Sequence, residues 1–420
     1  MLDIKVIRDN PTAIKENIYN RGLAVDVDRF LELDRERTGL IIEIDELRNM
    51  KNKLKKKPDK ADLSKLKEKK GKEEKLSNKL SAIEKEYYEL WQSIPNLTHP
   101  AVLVSDNEKN NPVLEEGTAK RFSFEAKDHL ALSEINDLID FERATKVTGS
   151  KFYYLKNELA LMEFALIQYA MEITLKNGFV PLTTPDLARK EVLEGLGYNP
   201  RDDSTQIYNI EESDLSLIGT AEITMGGYHM NETIRVEDLP KKYVAVSHCF
   251  RTEAGTYSKY AKGIFRVHQF TKVEMFYYTL PKLSEKAHQE ILEVEKEIYR
   301  GLEIPFRVID HATCDLGTPA SRTYDLEAWM PGKINESGTI GDWAEITSTS
   351  NCTDYQSRGL NIKYVDENGK KDYLHMLNGT AIATSRTMIA ILENFQRKDG
   401  SIEIPRVLQK WVGKKVISKN

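Results

Sequence analysis

In the segment FRTEAGTYSKYAKGIFRVHQFTKVEMF, residues 250–276, Arg251 and Glu253 close one strand-like run, and Arg266, His268, Phe270, Lys272 and Glu274 take every second position of the next. Side chains alternate across a strand with period two, so an expected strand over 264–278 sends this polar set to one face. Its other face collects Phe265, Val267, Gln269, Thr271, Val273 and Met275, mostly apolar and suited to a core. Cations, a carboxylate and an aromatic ring side by side are unfavourable to half-bury without partners. A nucleotide partners all of them. Arginine forks take phosphate bidentately, a Phe ring stacks on a base for about 1–3 kcal/mol, and a carboxylate receives an ammonium. The same pattern also admits an amphipathic hairpin whose charged face pairs across strands and meets water.

The runs 242–250 and 264–278 follow each other directly, which favours antiparallel pairing. Helical periodicity is expected over 155–176, 283–302 and 381–395. Strands and helices mixed in this way, from about residue 119 to 420, predict an α+β body. With 420 residues, 40% of them hydrophobic, the chain can fill one large core and a smaller unit.

The first hundred residues read as helical. Phe30, Leu33, Arg37, Leu40, Ile44, Leu47, Lys51 and Leu54 step by three and four, and the rhythm returns at Leu76, Leu80, Ile83, Tyr87, Leu90 and Ile94 after a turn at Pro58-Asp59-Lys60. Two long helices joined by a short turn must run antiparallel, giving a coiled-coil hairpin arm over about 28–94 that extends roughly 40 Å. Residues 48–79 hold 14 Lys/Arg against 5 Asp/Glu, a local +9, so the rest of the chain carries −14. A lysine-rich tip with a polar seam at Lys51, Lys69 and Glu73 suits a polyanion. A dimerising coiled coil with a solvated charged face remains the other reading. The aperiodic, proline-bearing stretch 101–118 is expected to link a 1–100 helical unit to a 119–420 body.

The first ten residues have no apolar leader core. The stretch 160–173 is interrupted by Glu163, Gln168 and Glu172, so a buried helix is expected and no membrane contact. Cys249, Cys314 and Cys352 lie far apart with no paired spacing, so no disulfide framework and no zinc are expected, and a cytoplasmic location is.

The joint pattern resembles the class II aminoacyl-tRNA synthetases, and within them the seryl-tRNA synthetases. FRTE…RVHQFTKVE is similar to their motif 2, GFVPLTTPDL to motif 1, IGTAEI to the Thr-Ala-Glu loop and LNGTAIATSRTMIAILEN to motif 3; YDLEAWMPG and EITSTSNCTDYQSR fall in the expected order. The resemblance spans nearly the whole chain. It implies a class II antiparallel β-sheet catalytic core flanked by helices, ATP and L-serine as substrates, and transfer to tRNA(Ser) gripped by the basic arm, with selenocysteine tRNA an open second client. By the same resemblance Arg251 holds the α-phosphate and the serine carboxylate, and Glu253, beside Thr252, reads the adenine amino group. Phe270 is the adenine platform, with Arg386 on the other ring face or the γ-phosphate. Glu345 and Ser348, in the run with Ile346 and Thr347, supply oxygen ligands to Mg²⁺. Thr220, Ala221, Glu222, Glu274, Asn378 and Thr380 are implied for serine, with Arg251, Arg386 and Glu274 central to catalysis. Tyr257, Tyr260 and Lys262 fall in the motif 2 loop, and Pro185 implies a homodimer. His268 shares the site face; His248 and His311 read as packing or surface. The chain departs from the family pattern at Ser385, where a glycine usually precedes the arginine, and at Gly359, where a second arginine is expected. An amino acid:carrier-protein ligase shares the core but lacks the arm. A coiled-coil nucleic-acid-binding protein with a degenerate body would not need Arg251, Glu253, Glu274, Glu345 and Arg386 together.

Overall fold

The computed structural model describes residues 1–54, 60–199, 206–253, 261–335 and 337–419. Two short helices, α1 (Ile4–Asp9) and α2 (Pro11–Asn20), lead into α3 (Val27–Leu54) and α4 (Lys60–Ser93), which pack along each other as the expected hairpin. The seam changes character along its length. At the base, Phe30 and Tyr87 stack with ring centroids 5.0 Å apart, and Leu33, Leu40, Ile44 and Leu47 are buried. Farther out, Arg48 and Lys51 both reach Glu73, Arg48 from an exposed position and Lys51 from a half-buried one. Hydrophobic burial therefore fixes the base, and ion pairs join the helices at Arg48, Lys51 and Glu73. Pro58 and Asp59 of the expected turn lie outside the described residues.

The body is built on an eight-stranded sheet of β1 (Val113–Glu116), β2 (Val180–Thr183), β3 (Lys241–Phe250), β4 (Gln269–Thr279), β5 (Phe306–Asp310), β6 (Arg322–Ile334), β7 (Ile340–Asn351) and β8 (His375–Ala383). Their order is β1-β5-β6-β7-β8-β4-β3-β2, antiparallel except for the edge pair β2–β3. This is the α+β antiparallel core that the alternating strand runs implied. Two expectations are corrected. The segment 101–118 is more than a linker, because β1 within it pairs with β5 as the far edge of the sheet. The strand expected from 264 begins only at Gln269; Ile264–His268 form a turn after Gly263, whose φ is +60°. Phe265 and Val267 therefore lie outside the strand, yet both are buried in the main core as the alternation implied.

Helices cover one face of the sheet. In α5 (Asn157–Lys176), Leu159, Met162, Leu166 and Tyr169 recur at helical spacing and join the main core, with Ala287, Ile291 and Ile298 of α6 (Ser284–Gly301) and most of α7 (Thr384–Asn394). No helix among the described residues is long and apolar enough to cross a membrane.

Gly379 on β8 lets α6 approach, since a Cβ there would lie 2.2 Å from Ile291 Cγ2. Gly359 has a comparable reason. A Cβ at that position would sit 2.0 Å from the Gly195 carbonyl oxygen, backbone against backbone, so the family arginine cannot be carried on this packing. Gly359→Ala is expected to cost about 2–3 kcal/mol, read as a lowered urea midpoint with an unchanged m-value.

Candidate active site

The uncovered face of the sheet gathers the chemistry. Paired residues point to the same side, and two irregularities bring distant positions into line. On β7, Thr347 opposes Leu326 while Glu345 opposes Glu327, so Ile346 is the extra residue of a bulge, and Glu345 and Ser348 share a face that unbroken alternation would deny them. On β8, Ala381 is extra in the same sense, and Thr380 stands directly opposite Glu274 on β4. One surface across β7, β8 and β4 thus presents Glu345, Ser348, Asn378, Thr380, Glu274, Lys272 and Phe270. Arg251, just past the end of β3, and Arg386, in the first turn of α7, approach it from either side.

Arg251, Phe270, Lys272, Glu345, Ser348, Thr380 and Arg386 line a narrow cleft of about 50 Å³, together with Glu253, Arg266, Phe265, Val267 and Ser385. Two guanidiniums fill much of it. Arg251 lies over the Phe270 ring, 5.3 Å from its centroid, and Arg386 lies 4.7 Å over Phe265. Arg386 also pairs with the Glu345 carboxylate at 2.7 Å and donates to its carbonyl at 3.2 Å. Burial opposes ionisation of Glu345, but the Arg386 charge overrides it and holds the carboxyl below its ordinary range. A planar base and a polyphosphate can enter by replacing these cation–π and ion-pair contacts with contacts of the same kind. Arg251 further donates to the Gly219 carbonyl, from Nε at 3.4 Å and from a terminal nitrogen at 3.3 Å. It therefore bridges the Phe270 ring and the loop that carries Thr220 and Glu222.

Glu253 is buried at φ +50°, a strained backbone for a glutamate, with Arg266 3.7 Å away. Thr252 donates its backbone N–H to the Gln206 carbonyl. Ile346 belongs to the core, and Thr347 donates its hydroxyl to Glu295 at 3.0 Å. Ser385 is buried in the cleft wall where the family has glycine. His268 brackets Arg251, its ring nitrogen 3.0 Å from the Arg251 carbonyl. Lys262 pairs with Asp128. Tyr257 and Tyr260 lie outside the described residues.

The residues implied for serine fall into two groups. Glu274, 1% exposed, is ion-paired with Lys272, and the Thr380 hydroxyl lies 3.3 Å from each. Glu222 and Asn378 instead line a second cavity of about 330 Å³. There Tyr198 donates to Glu222 at 2.9 Å and Gln356 at 2.8 Å. Burial, and then Glu274 nearby, raise the Glu222 carboxyl above its ordinary value against those two bonds. The Thr220 hydroxyl accepts from the Glu222 backbone N–H at 3.2 Å, and Ala221 is fully buried.

Lys272 was missed as a site residue although its spacing from Glu274 put it on the right face. Its ammonium sits on the carboxylate that a substrate ammonium would also seek. Phe265, expected in the core and buried there, also lines the cleft beneath Arg386, because the turn before β4 brings it to the cleft edge. Beyond the cleft, His311 Nε2 lies 2.9 Å from Asp325. Burial would lower that imidazole, but Asp325 and Asp315 lift it to about 10.

For a divalent cation, Glu345 and Ser348 offer hard oxygen donors on one face at the open side of the cleft. Among the described residues no cluster of three or more His, Cys, Asp or Glu forms a cage. A donor set this sparse fits Mg²⁺, which keeps waters and completes its shell with substrate phosphates.

The family model described as tRNA synthetase class II core domain (G, H, P, S and T) matches residues 205–395, and the one described as Seryl-tRNA synthetase N-terminal domain matches residues 1–98. A serine--tRNA ligase of Dictyoglomus thermophilum is 50% identical over 98% of both chains, and one of Treponema denticola is 47% identical over 98% of this chain and 99% of its own. Among solved structures, seryl-tRNA synthetase from Pyrococcus horikoshii complexed with ATP superposes with a TM-score of 0.87 at 40% identity, covering 100% of both chains. The cytoplasmic serine-tRNA ligase from Naegleria fowleri in complex with AMP gives 0.82 at 31% identity, covering 100% of this chain and 99% of that one. With half of its residues shared across full-length relatives, and with both its core and its N-terminal region matched, the chain belongs to the seryl-tRNA synthetases of class II.

Proposed function

We propose that this chain activates L-serine with ATP to seryl-adenylate and pyrophosphate, then transfers the seryl group to the terminal ribose of tRNA(Ser). The observation that carries the reading is one cleft in which Arg251 and Arg386 flank a sheet face bearing Phe270 and Thr380, with Thr380 bonded to Glu274 beside it. A base site and a phosphate site share that cleft, and the proposed ammonium site, Glu274, adjoins it through Lys272 and Thr380.

In the first step a serine carboxylate oxygen attacks the α-phosphorus in line and pyrophosphate departs. Negative charge grows on both, so positioning and electrostatics dominate. Arg251 takes the carboxylate and an α-phosphate oxygen on its two-pronged fork. The adenine ring stacks on Phe270 and Glu253 accepts from its amino group, while Arg386 covers the ring or holds the γ-phosphate. Glu274 receives the serine ammonium, displacing or sharing Lys272, and Thr380, with Glu222 and Asn378 beyond it, offers polar partners for the hydroxyl. A pocket built around hydroxyl bonds rejects alanine strongly, because its own polar groups would be left unpaired. Glu345 and Ser348 would hold Mg²⁺, which when bound would neutralise polyphosphate charge. In the second step a ribose hydroxyl attacks the seryl carbonyl and AMP leaves.

The chain divides into a tRNA-binding N-terminal region over 1–100 and a catalytic body that takes in the β1 edge strand. The arm reads backbone shape, through its lysines, rather than base sequence. A homodimer forms across α5 and the edge strand β2, where Phe164 is 66% exposed and Leu161, Leu175 and Val180 are exposed near it. The setting is the cytoplasm, where translation draws on the product. Serine alone among the twenty amino acids is expected to support ATP–pyrophosphate exchange; exchange driven best by another amino acid refutes the assignment.

A further inference from the structure

Residues 317–321 run irregularly from the turn Thr313–Asp315 into β6 and form one wall of the 330 Å³ cavity that holds Glu222 and Asn378. Every carbonyl in this loop accepts a hydrogen bond from the N-terminal helical region. Arg21, at the C-terminal end of α2, donates to Gly317 O at 3.2 Å and to Ala320 O at 2.7 Å. Asn96 donates its backbone N–H to Thr318 O and its side-chain amide to Pro319 O, each at 2.9 Å. The His99 N–H donates to Ser321 O at 2.9 Å. Loops normally lie on the surface because their backbone groups need water. Here a separate region of the chain takes water's place, with Arg21 4% and Asn96 2% exposed.

The Asn96 amide reaches further. It also donates to Cys352 O and to the Thr353 hydroxyl, both at 2.9 Å. Cys352 Sγ in turn receives the Asn378 amide at 3.8 Å. One asparagine of the N-terminal region thus grips the two chain segments that flank Asn378.

We infer that Arg21 and Asn96 are positioning residues for the amino-acid side of the active site: they hold the 317–321 loop and Cys352 where the Glu222–Asn378 cavity requires them. This rests on the placement of serine proposed above. The arm tip has no part in it, since both residues lie at the base of the N-terminal region. ATP is served by the far side of the sheet face, through Phe270, Arg251 and Glu345, and depends on neither residue.

The test uses full-length protein carrying Asn96→Asp, Asn96→Ala, Arg21→Ala or Arg21→Lys, assayed by ATP–pyrophosphate exchange. Asn96→Asp keeps shape but faces three oxygens with an acceptor, and Arg21→Lys keeps charge but loses the fork. The expected result is a rise in the KM for serine of on the order of tenfold to a hundredfold, with the KM for ATP within about twofold of the parent. Asn96→Asp should be worse than Asn96→Ala, the reverse of what simple space-filling gives. Thermal melts identify variants that fail to fold, and Arg21→Lys, the mildest change, keeps the question open to refutation if the others do. Unchanged KM values in folded variants, or serine and ATP KM values rising together, overturn the inference. Serine-dependent exchange by the parent chain in the same assay separates failure here from failure of the functional reading.

Discussion

Arg251→Lys is expected to lower kcat for serine-dependent ATP–pyrophosphate exchange by about 10²–10³-fold, with smaller changes in either KM. Arg251 lies between the Phe270 ring and the Gly219 carbonyl, where the proposed nucleotide and amino-acid sites meet. Its fork can engage a carboxylate oxygen and a phosphate oxygen together as the new P–O bond forms. Lysine restores the charge as a point but cannot span both groups, so most of the loss falls on the transition state. A decrease of less than about threefold would show that Arg251 is not the group that joins the two substrates.

The second large effect concerns the arm. Excising 48–79 and closing the helices with a short turn is expected to reduce tRNA charging by about 10³-fold or more, with serine-dependent exchange staying within about twofold. The reason is the division of forces along α3 and α4. The Phe30–Tyr87 stack and the buried Leu33, Leu40 and Ile44 sit at the base and stay in place. The excised part carries the +9 charge, and among its described residues no apolar side chain is buried. Charging by the parent enzyme should also weaken steeply with salt, and that dependence should flatten in the truncated form as phosphate contacts disappear. Loss of exchange on truncation would mean that the arm is coupled to the chemistry.

Much of the candidate site's clustering was legible in the chain because a half-buried strand writes its faces into alternate residues. Phe270, Lys272 and Glu274 share a face as the alternation required. The same rule overran its domain at 264–268, where apolar and polar residues still alternate but Gly263 at φ +60° turns the backbone before β4 begins. Glu345 and Ser348 are three apart, a spacing that alternation places on opposite faces; only the bulge at Ile346 aligns them, and no local signal announces a bulge. Edge strand β1 escaped because its four residues are largely exposed and carry no periodicity. The Arg21 and Asn96 contacts to 317–321 join positions more than two hundred residues apart, which composition and spacing cannot connect.

The most direct measurement is a crystal structure of the protein with a non-hydrolysable seryl-adenylate analogue. The account predicts the adenine against Phe270, displacing the Arg251 guanidinium from that ring, the acyl-phosphate linkage on Arg251, and the seryl ammonium at Glu274 beside Thr380. An analogue bound elsewhere, or seated in the cleft with its ammonium away from a Glu274–Lys272 pair that stays closed, would contradict it.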